Sequence, residues 1–519
     1  MTPHNPILPG FHPDPSICRV EDDYYIATST FEWFPGVALF HSRDLIHWEP
    51  VGHALTRRSQ LDLIGVPNSG GVWAPCLTHA DGRFWLAFTN TRNWGPATMD
   101  TPNFLITSPA IEGPWSEPVY LNSSGFDPSL FHDADGRKWL LNMQWDHRPG
   151  KNSFAGILLQ EYDASAGRLV GPVRNIFRGS ALGCTEGPHL YRRGAYYYLL
   201  TAEGGTEYGH AVTIARSRSL EGPYELHPDN PILSARDAPQ ATLQKTGHAS
   251  LVQTPAGEWR MVFLCGRPLP GTRCCPLGRE TAIIACKWTD DGWLQPSEGR
   301  TITQGVVDAD SGPDVVEEIR FSEFCVLSPK LQTLRRESSP DWLSLTERPG
   351  WLRLVGGESL CSLHRQSLVA RRLQHFCARV ETCVDFAPAN FQQMAGLTAY
   401  YDTNAFYALL ITHDESLGRC LRLWNGVTLT EPAPAVALPV AGSVWLAVTI
   451  DFNSTCFHYS LDGKVWNSLG PDLETACLSD EWAGKLRFTG TMLGLTAQDL
   501  SGRGVTADFA YLSYGSLPE

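Results

Sequence analysis

Three acids stand at matching places in a repeated phrase, and acids so placed can run acid–base chemistry. Asp14 opens Asp14-Pro15-Ser16-Ile17, and Asp127 opens Asp127-Pro128-Ser129-Leu130. Glu186 stands one residue before Gly187-Pro188-His189-Leu190. Two carboxyl groups facing each other across a sugar-sized gap can hydrolyse a glycosidic bond. One is ionised and activates water; the other is protonated and hands a proton to the leaving oxygen. A separation of roughly 6.5–9.5 Å leaves room for that water and inverts the anomeric configuration. A third carboxylate nearby raises the pKa of the donor by like-charge repulsion and can orient it. By residue type alone the three are interchangeable in role. An Asp before Pro also caps turns, so one such residue says little. Three in register are another matter, because acids crowded near a narrow axis are costly unless used or paired. The same acids with His248 could hold a hard cation. No close pair of His residues or dense Asp run accompanies them, so a tightly bound catalytic metal is not expected.

The phrase that carries the acids occurs five times, returning as Ala74-Pro75-Cys76-Leu77 and, degenerate, as His248-Ala249-Ser250-Leu251. Aligned on Pro15, Pro75, Pro128, Pro188 and Ala249, the steps are 60, 53, 60 and 61 residues. A polar turn and an aromatic strand follow each phrase, as in Asp81-Gly82 before Phe84-Trp85-Leu86 and Arg193-Gly194 before Tyr196-Tyr197-Tyr198. A fixed long period with a hairpin in every unit predicts the blades of a five-bladed β-propeller, in which equivalent strand starts converge on one axial mouth. The recurrent tails at Trp48, Trp115 and Tyr224 read as blade edges, with their rings in core roles.

Residues 1–310 hold these repeats, and the pattern lapses between Gln304 and Asp314. From 320 to 519 a different set of alternating strands follows, among them Arg379–Asp385, Tyr407–Ile411 and Trp445–Ile450. They predict a jelly-roll-type β-sandwich, so the whole chain is expected to be all-β. Composition agrees. Gly (47) and Pro (37) are plentiful and aromatic residues reach 11 %, which suits many short strands joined by turns. A net charge of −14 argues against nucleic acid as a partner and leaves a neutral ligand that stacks on aromatic rings. No apolar run approaches a membrane span, and the first residues show neither a basic nor an apolar signal region, so a cytoplasmic location is expected. The 14 Cys match no zinc spacing and read as free thiols.

The chain resembles glycoside hydrolase family 43, and within it the β-xylosidases with an appended C-terminal sandwich. The resemblance rests on Asn5–Ile17, on Tyr24–Gly36, on Thr185-Glu186-Gly187-Pro188-His189, on Gly247–Leu251 and on Pro276–Ala282. It implies an inverting exo-glycosidase that releases D-xylose from the non-reducing end of short β-1,4-xylo-oligosaccharides, with some α-L-arabinofuranosidase activity. It also implies Asp14 as general base, Glu186 as general acid and Asp127 as the residue that tunes Glu186. Phe31, Trp73, Trp145, His248 and Arg279 match substrate-binding positions, and Phe488 matches a sandwich residue at the pocket rim. No cofactor is required, although a structural calcium ion near His248 occurs in some relatives. A homo-oligomer is expected from the resemblance alone. The segment from Gly266 to Cys275 is shorter than in those relatives. Two other readings compete: a chain that is mainly an α-L-arabinofuranosidase, and a non-catalytic carbohydrate-binding propeller. A binding module has no need of a proton donor, so the full set of acids weighs against the latter.

Overall fold

A computed structural model of the chain describes residues 4–95, 97–302, 316–321, 326–484 and 486–517. It is almost entirely strand and divides into two compact units. One is Met1–Leu61, Gly70–Arg267 and Arg279–Val307; the other is Asp62–Ser69, Pro268–Gly278 and Asp308–Glu519. The expected linker between Gln304 and Asp314 lies outside the described residues.

The first unit is five four-stranded antiparallel sheets, each in simple sequence order. The innermost strands are Ser16–Val20, Gly71–Ala80, Ser129–His132, Glu186–Arg193 and Gln244–Gln253. Each touches its neighbours in the ring, and the fifth touches the first. Side chains clasp backbone from blade to blade. The Leu77 N–H donates to Ser16 Oγ at 2.9 Å, the Leu251 N–H to Tyr191 Oη at 2.8 Å, and the Ile17 N–H to Ser250 Oγ at 3.2 Å. Apolar residues between blades supply the core. Ile17, Ile26, Val252, Val262 and Ile283 join blades five and one, and Trp48 packs on them. Burying each such aliphatic side chain is worth about 1.5–3 kcal/mol.

The N-terminal segment closes the ring. Leu8 and Thr281 exchange backbone hydrogen bonds, and the His12 N–H donates to the Arg279 carbonyl at 3.0 Å. Asn5 bonds Ile283 in both directions at 2.8 Å. The Gly10 N–H donates to Glu280 Oε1 at 2.7 Å, and Arg267 holds the same carboxylate in a fork of 2.6 and 2.8 Å. The segment that carries Asp14 is thereby fixed to the strand that begins at Arg279.

The second unit has two antiparallel sheets over one core rich in Leu, Val and aromatic residues, including Leu397, Leu409, Leu446, Leu495 and Phe509. The sequence reading assigned residues 62–69 and 268–278 to the propeller, and the structure corrects this. Arg335 donates from Nε to the Val66 carbonyl at 2.7 Å and from Nη2 to Asn68 Oδ1 at 2.8 Å. Leu269 and Leu277 sit in the sandwich core. Polar loops with one or two apolar anchors carry no periodicity that assigns them to either unit.

Candidate active site

Every repeated phrase bends at the same point. Asp14, Ala74, Asp127, Gly187 and His248 all take left-handed backbone angles, with φ of 54°, 36°, 57°, 55° and 42°. Four of the five are not glycine, which costs each of those roughly 1–2 kcal/mol. Asp pays less, because its short polar side chain bonds locally. In the fourth blade the bend falls on Gly187, where an added Cβ would lie 3.1–3.2 Å from three atoms of the His248 ring. The acid of that blade therefore stands one place earlier, at Glu186, and uses its longer side chain.

The structure brings Asp14, Asp127, Glu186, His248 and Arg279 together. The Ser29 hydroxyl donates to Asp14 Oδ2 at 2.7 Å and itself accepts the Ala74 N–H at 2.7 Å. Arg279 Nη1 lies 3.4 Å from Asp14 Oδ1 and donates to Thr206 Oγ1 at 2.9 Å. His248 Nδ1 is 3.8 Å from Asp14 Oδ1. Asp127 Oδ2 accepts the Gly187 N–H at 2.9 Å, which sets it beside Glu186. Asp14 and Asp127 are buried. Glu186 keeps partial access to solvent as a residue, yet desolvation is the largest influence on its carboxyl. Desolvation, then the charges of Asp127 and Asp14, push its pKa well above the ordinary range, against Arg279. Burial likewise raises Asp127 to about 6, with Asp14 adding to it and His248, the Gly187 N–H and Arg279 opposing it.

An aromatic wall runs from the first blade to the third. Ring centroids are 6.2 Å apart for Phe31 and Trp73, 5.3 Å for Trp73 and Phe126, and 6.3 Å for Phe126 and Trp145. Phe31 is held by exchanged backbone hydrogen bonds with Val72, and Arg279 lies over its ring at 5.3 Å. Trp145 is fixed by Nε1, which donates to the Ala97 carbonyl at 2.8 Å. Phe488 belongs to the other unit, where it is buried and its N–H donates to Ser69 Oγ at 3.1 Å. Among the described residues no group of three or more His, Cys, Asp or Glu is arranged to hold a metal ion.

Sequence reasoning missed Ser29, Thr206 and Phe126. Phe126 was within reach, since it precedes the left-handed residue of its blade as Trp73 and Glu186 do. The two hydroxyls lie outside the repeated phrase and gave no signal.

Comparison with known proteins follows the same division. Residues 3–294 match the model of glycosyl hydrolases family 43, and residues 320–515 match that of the β-xylosidase C-terminal concanavalin A-like domain. The chain is 49 % identical to a xylosidase/arabinosidase 43B of Humicola insolens, over 98 % of this chain and 97 % of that one. It is 48 % identical to a β-xylosidase of Bacillus subtilis strain 168, over 98 % and 99 %. The crystal structure of a xylan β-1,4-xylosidase from Bacillus halodurans C-125 superposes with a TM-score of 0.95 at 51 % identity, covering 99 % of both chains.

Proposed function

Because the chain belongs to glycosyl hydrolase family 43, we propose that it is an inverting exo-β-xylosidase. It releases D-xylose from the non-reducing end of short β-1,4-xylo-oligosaccharides and cleaves α-L-arabinofuranosides in the same site. Asp14 is the general base. The Ser29 hydroxyl and the Arg279 guanidinium hold its two oxygens in place, so that it can draw a proton from water as that water attacks the anomeric carbon. Glu186 is the general acid, kept protonated by its surroundings until it gives its proton to the leaving oxygen. Asp127 is the neighbouring charge that holds the Glu186 pKa up. Phe31, Trp73 and Trp145 supply flat faces to the sugar, and His248 and Arg279 bind beside the base. Phe488 enters on the family resemblance alone.

The observation that carries this reading is the convergence of acids from three blades, with the Glu186 carboxyl favoured in its protonated form. The reading needs no cofactor. It places the enzyme in a reducing compartment such as the cytoplasm, where the 13 free thiols of the described residues are stable. Self-association is carried over from the resemblance, and sedimentation velocity would show it or a monomer.

Steady-state hydrolysis of β-1,4-xylobiose and of the 4-nitrophenyl glycosides of xylose and arabinofuranose tests the assignment. Asp14→Ala and Glu186→Ala are expected to lose roughly 10²–10⁴-fold in kcat on xylobiose. Full activity in either acid variant removes the proposed roles. A faster rate on the arabinoside than on xylobiose turns the reading toward an arabinofuranosidase.

A further inference from the structure

One buried carboxylate near the site has no part in the mechanism above. Glu203, at the end of the second strand of blade four, has no exposed surface. Its Oε1 accepts the Ser180 N–H at 3.0 Å and the Thr185 hydroxyl at 3.1 Å, and its Oε2 accepts the Ser180 hydroxyl. Thr213 adds a further side-chain hydrogen bond. Thr185 directly precedes Glu186.

The rest of the loop between Gly179 and Thr185 is tied to the same place. The Gly204 N–H donates to the Gly183 carbonyl at 2.8 Å, and the Leu182 N–H to Ser180 Oγ at 3.2 Å. Gly179 comes so close that a Cβ there would lie 1.9 Å from Thr185 Oγ1. Thr185 is thus clamped between a bare stretch of backbone and a carboxylate. The hydroxyl cannot turn elsewhere without losing its partner in a dry site, and an orphaned buried hydroxyl is costly. The segment after Glu203 reaches the other half of the site, since Thr206 accepts from Arg279, the partner of Asp14.

The geometry points to Glu203 as a positioning residue that sets the proton-donating carboxyl of Glu186 by fixing Thr185 and the loop behind it. This rests on Glu186 being the general acid. A misplaced reacting group costs about 10²-fold per ångström. The cost of a misplaced proton donor depends on the leaving group. A sugar alkoxide needs the proton to depart, whereas 2,4-dinitrophenolate leaves without one.

The test compares kcat/KM on xylobiose and on 2,4-dinitrophenyl β-D-xyloside for the wild type, Glu203→Ala, Glu203→Gln and Thr185→Val. Glu203→Ala and Thr185→Val are expected to lose roughly 10–100-fold on xylobiose and less than about 3-fold on the activated xyloside. Glu203→Gln keeps an acceptor oxygen for Thr185 and is expected to recover most of the loss. Equal losses on both substrates, or none, overturn the proposal. If Glu203→Ala does not fold, Thr185→Val, which removes only the hydroxyl, decides it in the same way. A wild type inactive on both substrates counts against the xylosidase reading itself.

Discussion

As the proposed general acid, Glu186 has to enter the transition state with its proton on, and three influences favour that: burial, Asp127 and Asp14. The protonated form is the active one, so kcat/KM falls as pH rises through the raised Glu186 pKa, and the alkaline limb lies well above the ordinary glutamate value of 4.5. Asp127→Asn removes one of the two repelling charges and is expected to move that limb to lower pH. A limb that stays in place in the pH–rate profile of this variant contradicts Asp127 as the tuning residue. The acids were legible in the sequence because their type and register recur. The residues that hold them were less so. Ser29 and Thr206 each occur once rather than in every blade, and a single hydroxyl in a chain full of Ser and Thr has no pattern to stand out from.

At the scale of elements, the recurring piece is an innermost strand entered through a left-handed residue. The period and the hairpins were readable because each blade must bury alternate apolar side chains and turn at polar residues. The shared bend was not, since Ala74 is a residue type that seldom adopts it and breaks the pattern of the other four. The ring also depends on how its ends meet, and there Glu280 is central. It receives the Gly10 N–H and the Arg267 fork with no exposure of its own. Removing one member of a buried pair strands the other charge, at a cost of about 3–5 kcal/mol. Glu280→Ala is therefore expected to lower the free energy of unfolding in urea by that amount. A loss below about 1 kcal/mol would mean that the N-terminal segment is held by its backbone bonds alone.

Over the whole molecule, the lapse in the repeat near residue 310 falls outside the described residues, and the two excursions into the second unit left no signal in the sequence. They have consequences for dissection. A chain cut after residue 302 leaves Val66 and Asn68 without Arg335, and leaves Leu269 and Leu277 without the sandwich core. Each exposed leucine alone forfeits about 1.5–3 kcal/mol. The truncated chain is expected to be less stable than the full chain and to aggregate in size-exclusion chromatography. A stable, fully active monomer of residues 1–302 would show that those segments do not need the second unit. The long net negative charge of the intact chain is no obstacle to its work, because the proposed ligand is an uncharged sugar.

All of this converges on how water and proton reach opposite sides of one glycosidic bond. Proton NMR of xylobiose hydrolysis, read before the released sugar mutarotates, tests it most directly. With Asp14 activating water and Glu186 protonating the leaving oxygen, the first xylose released from the non-reducing end carries the α configuration. Release of β-xylose would mean that a carboxylate attacks the sugar itself, and the roles assigned to Asp14 and Glu186 would not stand.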